Sequence, residues 1–93
     1  MYYLSNTKIM QKDIRKIIKI LWWLEEKDRE NFLKVLFTDK EIEEFSKRID
    51  ILTSLKNWKT QREISKNLDI SITTVTRWNK HYKNNKDLID KYL

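Results

Sequence analysis

The sequence predicts an all-α fold of about six short helices, and three observations support this prediction. The 93 residues include no glycine and no proline, so the two strongest helix breakers are absent. Apolar residues recur at intervals of three and four along most of the chain, which places them on one face of a helix. Two Thr-x-x-Glu sequences, at 38–41 and 60–63, match the capping box that begins a helix.

The first predicted helix follows a short N-terminal arm. Residues 1–11 show no clear period, and we expect them to form a flexible arm. From Asp13 onward apolar residues surround most of the helix, in the run IIKILWWL. A helix that is apolar nearly all round must be buried on several sides, and a second copy of so short a chain most readily supplies the missing surface. We therefore expect a dimer interface here.

The remaining helices of the body follow in order. A short helix is expected after the sequence EEKD, with Asp28 as its N-cap. Thr38 then caps a long helix that ends near Asn57. A closing helix, NKDLIDKYL, is capped by Asn85, and 12–93 form a single domain. The predicted buried face of the long helix consists of Ile42, Phe45, Ile49, Leu52 and Leu55.

Composition narrows the classes of function. Twenty Lys and Arg residues oppose 14 Asp and Glu, which gives a net charge of +6 and a pI near 9.6. This excess favours a polyanionic partner, although a lysine-rich surface also serves simply to keep helical proteins soluble. With no cysteine and one histidine, we expect neither an enzyme nor a metal site. The lack of a cleavable signal predicts a cytoplasmic protein.

The segment TQREISKNLDISITTVTRW predicts a helix-turn-helix over about 60–83. Ile64 and Leu68 lie on one face of its first helix, and Ile70 and Val75 supply the apolar wedge that joins this helix to the second. Ser65 is small enough for a close helix crossing. Asp69 falls where the turn requires a positive φ, and Asp tolerates the left-handed region better than most residues.

The second helix of this motif offers a surface suited to the major groove of DNA. Ser71 caps it, and short threonine side chains on its first turns present hydroxyls to base edges and methyls to thymine. Basic and polar side chains flank them as phosphate contacts. The alternative is an ordinary solvated surface. The predicted DNA-binding residues are Gln61, Arg62, Lys66, Ser71, Ile72, Thr73, Thr74, Thr76 and Lys80, with Arg77 and Lys83 as further phosphate contacts.

Two other classes of function compete with DNA binding. The helix pair of the motif would pack against a protein in a small dimeric interaction module. Alternatively, KDIRKIIKILWWL is basic and rich in tryptophan, as are helices that lie on membrane surfaces. A transmembrane helix is excluded because Lys16 and Lys19 interrupt a stretch much shorter than the ~20 apolar residues required. We expect no membrane partner.

From about Lys12 to Leu93 the chain resembles the tryptophan repressor superfamily. The resemblance rests on LFTDKEIEEFSKRIDIL, then KTQREISKNLDISITTVTR, then a short last helix, in the family's order and near its spacing. It implies an intertwined all-helical homodimer with two DNA-reading heads. It also implies a transcriptional repressor that binds a near-palindromic operator, whose half-sites lie about one helical turn, roughly 34 Å, apart.

The resemblance further implies L-tryptophan as the corepressor. Arg48 and Arg77 match the two arginines that hold its indole, and Thr38 matches the residue that closes the pocket from the partner chain. The chain departs from the family at Trp78, where tryptophan-binding members have glycine, and at His81, where they have serine. Two interpretations stay open. The indole of Trp78 fills the pocket in a ligand-independent DNA binder, or it turns aside and free L-tryptophan still binds.

Overall fold

Six α-helices and one short 3-10 helix make up the chain in a computed structural model that describes residues 2–93, with side chains from residue 11 onward. The described residues contain no strand, and the predicted all-α fold is confirmed. They divide into two compact units, one ending at Leu36 and the other beginning at Phe37. The helices are α1 (Tyr2–Trp23), α2 (Arg29–Leu36), α3 (Asp39–Lys56), α4 (Gln61–Leu68), α5 (Ile72–Asn84) and α6 (Lys86–Tyr92), and the 3-10 helix is Glu26–Asp28.

The first unit differs from the prediction at both of its helix starts. α1 begins at Tyr2, well before Asp13, because no glycine or proline interrupts the chain there. The backbone of 2–11 is therefore helical, while the flexibility of that segment stays a prediction and Met1 lies outside the described residues. Asp28 does not cap α2 as predicted, since it ends a 3-10 helix that continues directly into Arg29.

The apolar run of α1 is exposed in the single chain. Over residues 11–36 no side chain is buried, and only Ile20, Leu24 and Phe32 are half-buried. Trp22 is 84% exposed. A soluble monomer rarely leaves so much contiguous apolar surface in water.

The core of the second unit surrounds the helix-turn-helix. Its buried side chains come from α3, α4 and α5, and partly buried apolar residues from α3 to α6 pack around them. The buried residues are Ile51, Leu55, Ile64, Val75 and Tyr82.

Most of the predicted buried face of α3 is exposed in the single chain. Leu55 is buried and Leu52 is half-buried, as expected, but Ile42, Phe45 and Ile49 are exposed. The core forms around the C-terminal half of α3, so the apolar side chains of its N-terminal half lack that cover.

Local hydrogen bonds fix where the helices begin. Thr38 and Glu41 form a complete capping box at α3, as predicted. Thr60 accepts a hydrogen bond from the Glu63 amide at 3.1 Å, which caps α4, but the Glu63 side chain does not accept from the Thr60 amide, so the predicted second capping box is only half formed. Asn85 occupies the N-cap position of α6, but its side chain instead donates to the carbonyl oxygen of His81 at 2.9 Å, so the predicted side-chain cap is wrong.

Asp90 attaches α6 to the rest of the unit through both its carboxylate and its backbone carbonyl. Asp90 Oδ1 accepts from the Tyr82 hydroxyl at 2.8 Å, and Asp90 Oδ2 accepts from Lys86 Nζ at 2.6 Å. Lys56 Nζ of α3 donates to the Asp90 carbonyl oxygen at 3.1 Å. The hydrogen bonds from Lys86 and then Tyr82 lower the pKa of Asp90 from its ordinary 3.8, because they favour the charged carboxylate.

We predict that Asp90→Asn lowers the melting temperature by a few degrees at pH 7, as followed by circular dichroism. A lowered pKa in the folded state means that the Asp90 contribution is present above 3.8 and is lost as pH falls through the lowered value. The difference from wild type should therefore shrink below pH 3.8. Asp50→Asn, on exposed α3 surface, is the control and should change neither quantity. A difference that persists unchanged in acid would contradict this account.

Candidate nucleic-acid interface

The turn between α4 and α5 is closed by its own backbone and by Ser65. Asp69 adopts the left-handed conformation, with φ 53° and ψ 52°, as predicted. The Ile70 amide donates to the Ser65 carbonyl oxygen at 3.1 Å, which closes the helix end in a Schellman-type arrangement. Ser65 Oγ donates to the Ile70 carbonyl oxygen at 2.5 Å. Ser65 therefore ties the turn together in addition to allowing a close crossing.

The predicted apolar face of α4 and the predicted wedge pack together and hold the two helices of the motif. Ile64 is 1% exposed and Val75 is 0% exposed, the lowest values in the core. Leu68 and Ile70 are partly buried against them. Truncating a buried Ile to Ala typically lowers the free energy of unfolding by about 2–5 kcal/mol. Because the buried side chains come from both helices, their packing fixes the angle between α4 and α5.

The start of α5 exposes fewer hydroxyl groups than the sequence suggested. Ser71 Oγ accepts from the Thr74 amide at 3.1 Å, which confirms the predicted cap. The two hydroxyl oxygens of Ser71 and Thr74 lie 2.8 Å apart in a second hydrogen bond. The Thr74 hydroxyl is therefore committed to the cap. Thr74 is also half-buried, whereas Thr73 is exposed and Ile72 is 48% exposed.

A side-chain hydrogen bond links the beginning of α4 to the middle of α5. Thr76 Oγ1 donates to Gln61 Oε1 at 2.6 Å, which leaves the Gln61 amide nitrogen available as a donor. Arg62, Lys66 and Lys80 are exposed, and none of them takes part in a salt bridge among the described residues. The motif thus combines a short-chain surface on α5 with unpaired cations on both helices.

Three of the five predicted ligand residues lie together. Arg77, Trp78 and His81 line an open cleft of about 280 Å³ along α5, with Lys80 and Asn84. The Trp78 ring meets the His81 ring edge to face, with centroids 5.4 Å apart. Trp78 is also half-buried against the core.

The other two predicted ligand residues do not line this cleft. The Thr38 hydroxyl accepts from the Glu41 amide at 3.2 Å and donates to its carboxylate at 3.0 Å. Hydrogen bonds from the Thr38 backbone and then its side chain lower the pKa of Glu41. The Arg48 guanidinium lies over the Phe45 ring, 5.0 Å from its centroid. In the single chain both groups are therefore engaged on α3.

A comparison with protein families identifies the chain. The family model described as Trp repressor protein matches residues 12–93. The chain belongs to the Trp repressor family. No curated protein sequence and no solved structure gives a significant match.

Membership of the Trp repressor family indicates a DNA-binding transcriptional regulator, and the members of this family are regulators rather than enzymes. The family in general binds tryptophan as a corepressor. Among the described residues no helix is long and apolar enough to cross a membrane. The same residues contain no cluster of three or more His, Asp or Glu side chains suited to a metal ion.

One prominent residue of this Trp repressor family member was not predicted. Trp58 has a φ of 65° and is 87% exposed, and it lies two residues before the Thr60 cap of α4. A sequence signal existed, since α3 ends near Asn57 and α4 begins after Thr60. The connection between them had to turn without glycine.

We predict that Asp69→Ala lowers the free energy of unfolding by about 1 kcal/mol, because alanine has a Cβ but no short polar group to support the left-handed conformation. Asp69→Gly should not lower it, since glycine adopts this conformation freely. Urea denaturation followed by circular dichroism measures both. Equal destabilisation by the two substitutions would mean that the side chain of Asp69, and not its backbone conformation, matters.

Proposed function

We propose that the chain is a sequence-specific transcriptional repressor that binds a near-palindromic DNA operator as a homodimer in the cytoplasm. The observation that carries the proposal is the helix pair α4 and α5, which the buried side chains of Ile64 and Val75 hold together. Its second helix exposes Ile72 and Thr73, and the cations around them form no salt bridge among the described residues. A capped helix with short side chains at its N-terminal end is the element that enters a major groove in helix-turn-helix proteins.

Within this surface we assign different roles to the bases and to the phosphates. Thr73 discriminates among base pairs, because its exposed hydroxyl and methyl groups are both available at the start of α5. We give Thr74 a smaller share, since its hydroxyl already bonds to Ser71. Arg62, Lys66 and Lys80 contact phosphates and contribute affinity without sequence preference.

The exposed apolar surface supports the homodimer. Ile14, Ile17 and Leu21 recur at helical spacing on α1, and all are exposed in the single chain. Further exposed apolar residues lie on α3. A two-fold pairing that covers such surfaces presents two reading heads to one face of the DNA.

We propose L-tryptophan as the candidate corepressor, bound at the cleft along α5. The cleft of about 280 Å³ is close to the lower limit of small-molecule sites, and Arg77 provides a guanidinium for a carboxylate. In this proposal Thr38 of the partner chain and Arg48 complete the site when two chains pair. The competing proposal is that the Trp78 indole, half-buried against the core, takes the place of the ligand in a constitutive DNA binder.

A helical module that binds a protein instead of DNA is the remaining alternative. It uses the same apolar surfaces but makes no use of the exposed cations around α5. The salt dependence of DNA binding separates the two functions, because phosphate contacts release counterions and protein contacts do not.

We predict that Arg62→Ala and Thr73→Ala weaken DNA binding in different ways. Arg62→Ala should weaken binding to all duplexes alike and reduce the salt slope by about one unit for each phosphate that the variant no longer neutralises. Thr73→Ala should reduce the preference for a selected duplex over a scrambled one by roughly tenfold. Fluorescence anisotropy in a salt series measures both effects.

Lys34→Ala, which removes one positive charge from exposed α2 surface as Arg62→Ala does from α4, is the control for these measurements. If Thr73→Ala weakens all sequences equally, the assignment of base discrimination to Thr73 is wrong. If wild type binds no duplex at low salt, the proposed function fails.

Calorimetry with L-tryptophan distinguishes the two proposals for the ligand. If L-tryptophan is the corepressor, we expect heat of binding with the wild type. Trp78→Gly removes the built-in indole and opens the space beside Arg77 and His81. Binding to the glycine variant alone would contradict the corepressor proposal and support a cleft filled by Trp78.

A further inference from the structure

We propose that Trp58 and Lys59, together with Lys83 of α5, form a second DNA-contact surface that holds the sugar-phosphate backbone of duplex DNA alongside α4 and α5. The inference rests on the proposed DNA-binding function and adds to it two residues outside the helix-turn-helix, Trp58 and Lys59, next to Lys83, which the sequence already predicted as a phosphate contact. Four features of the second unit carry it: a backbone conformation, an exposed ring, a positive charge and continuity with the reading surface.

The first feature is the backbone conformation of Trp58. The Trp58 amide donates to the Leu55 carbonyl oxygen at 3.1 Å, and the Lys59 amide donates to the Ser54 carbonyl oxygen at 3.1 Å. These two bonds are the Schellman motif that ends α3, and they place Trp58 in the left-handed position that usually holds glycine. A bulky residue at positive φ is a genuine outlier and carries an energetic cost.

The second feature is the exposure of the Trp58 side chain. Trp58 is 87% exposed and belongs to neither the buried core nor the residues packed against it. Neither backbone preference nor core packing therefore accounts for tryptophan at this position. A costly conformation that presents a large aromatic ring to solvent is typical of a binding residue.

The third feature is the charge of the cleft beside the indole. Trp58 and Lys59 line a cleft of about 380 Å³ to which Lys83 and Lys86 also contribute, and no carboxylate is among its described lining residues. Lys86 is largely neutralised by Asp90, with Nζ and Oδ2 2.6 Å apart. Lys59 and Lys83 are exposed and form no salt bridge among the described residues. The cleft therefore suits an anionic partner.

The fourth feature is continuity with the DNA-reading surface. Gln61 lines the same cleft and accepts the hydrogen bond from Thr76 on α5. A phosphate strand that contacts Gln61 and Arg62 at the start of α4 thus continues past Lys59. Two lysines supply the charge for successive phosphates, and the exposed indole supplies an apolar surface for the deoxyribose between them.

The test compares substitutions at Trp58 for stability and for duplex affinity. Trp58→Gly should raise the melting temperature, because glycine relieves the cost of positive φ, yet weaken duplex binding by about tenfold. Trp58→Ala should weaken binding equally without the gain in stability. Trp58→Phe should keep most of the affinity because it retains an aromatic ring.

Lys59→Ala tests the charged part of the surface. The slope of log affinity against log salt should become shallower by about one unit, because the variant neutralises one phosphate fewer. Lys34→Ala, which removes the same charge from a lysine paired with Glu30 on α2, should leave the slope unchanged.

The outcomes separate this inference from the proposed function. If Trp58→Gly and Lys59→Ala bind duplex DNA as wild type does, while Arg62→Ala binds less tightly, the second surface is wrong and the DNA-binding function stands. If the variants lose affinity for single-stranded DNA but not for duplex DNA, the assigned partner is wrong. If wild type binds no duplex at all, both proposals fail together.

Discussion

Ile64 of α4 and Val75 of α5 are the most deeply buried side chains of the second unit, and the geometry of the reading head depends on their packing. Ile51 and Leu55 from α3 and Tyr82 from α5 complete the core around them. Because the packing of Ile64 and Val75 sets the angle between α4 and α5, it also sets the orientation in which the start of α5 is presented to DNA. The side-chain hydrogen bonds of Ser65 and Thr76 further stabilise the arrangement of α4 and α5 that this apolar packing sets.

The buried core contains few of the chain's large apolar side chains. Five residues are buried in the described part, while large apolar groups on α1, α2 and α3 stay in contact with solvent. Burial of apolar surface is the main favourable term in folding and in association, so uncovered surface of this extent favours pairing of chains. The need to bury apolar surface therefore connects the stability of the fold to the proposed homodimer. In that homodimer two copies of the helix-turn-helix bind two half-sites.

Most features that depend on residues three to five apart were predictable from sequence, although the side-chain caps predicted at Asp28 and Asn85 do not form. The caps at Thr38, Thr60 and Ser71 and the positive φ of Asp69 follow from local hydrogen bonding and backbone preference, and all are present. The exposure of Phe45 was not predictable, because periodicity shows which face is apolar but not what covers it. The same holds for the candidate site. Residue spacing predicted the position of α5 but not the hydrogen bond between the hydroxyl groups of Ser71 and Thr74.

Selecting the sequences that the protein binds from a pool of random DNA duplexes tests most directly the claim that α4 and α5 bind DNA as part of a two-fold homodimer. The account predicts enrichment of a near-palindromic sequence with half-sites about one helical turn, roughly 34 Å, apart. Light scattering of the complex should give two chains for each duplex. Enrichment of no sequence, or of a single unrepeated half-site bound by one chain, would contradict it.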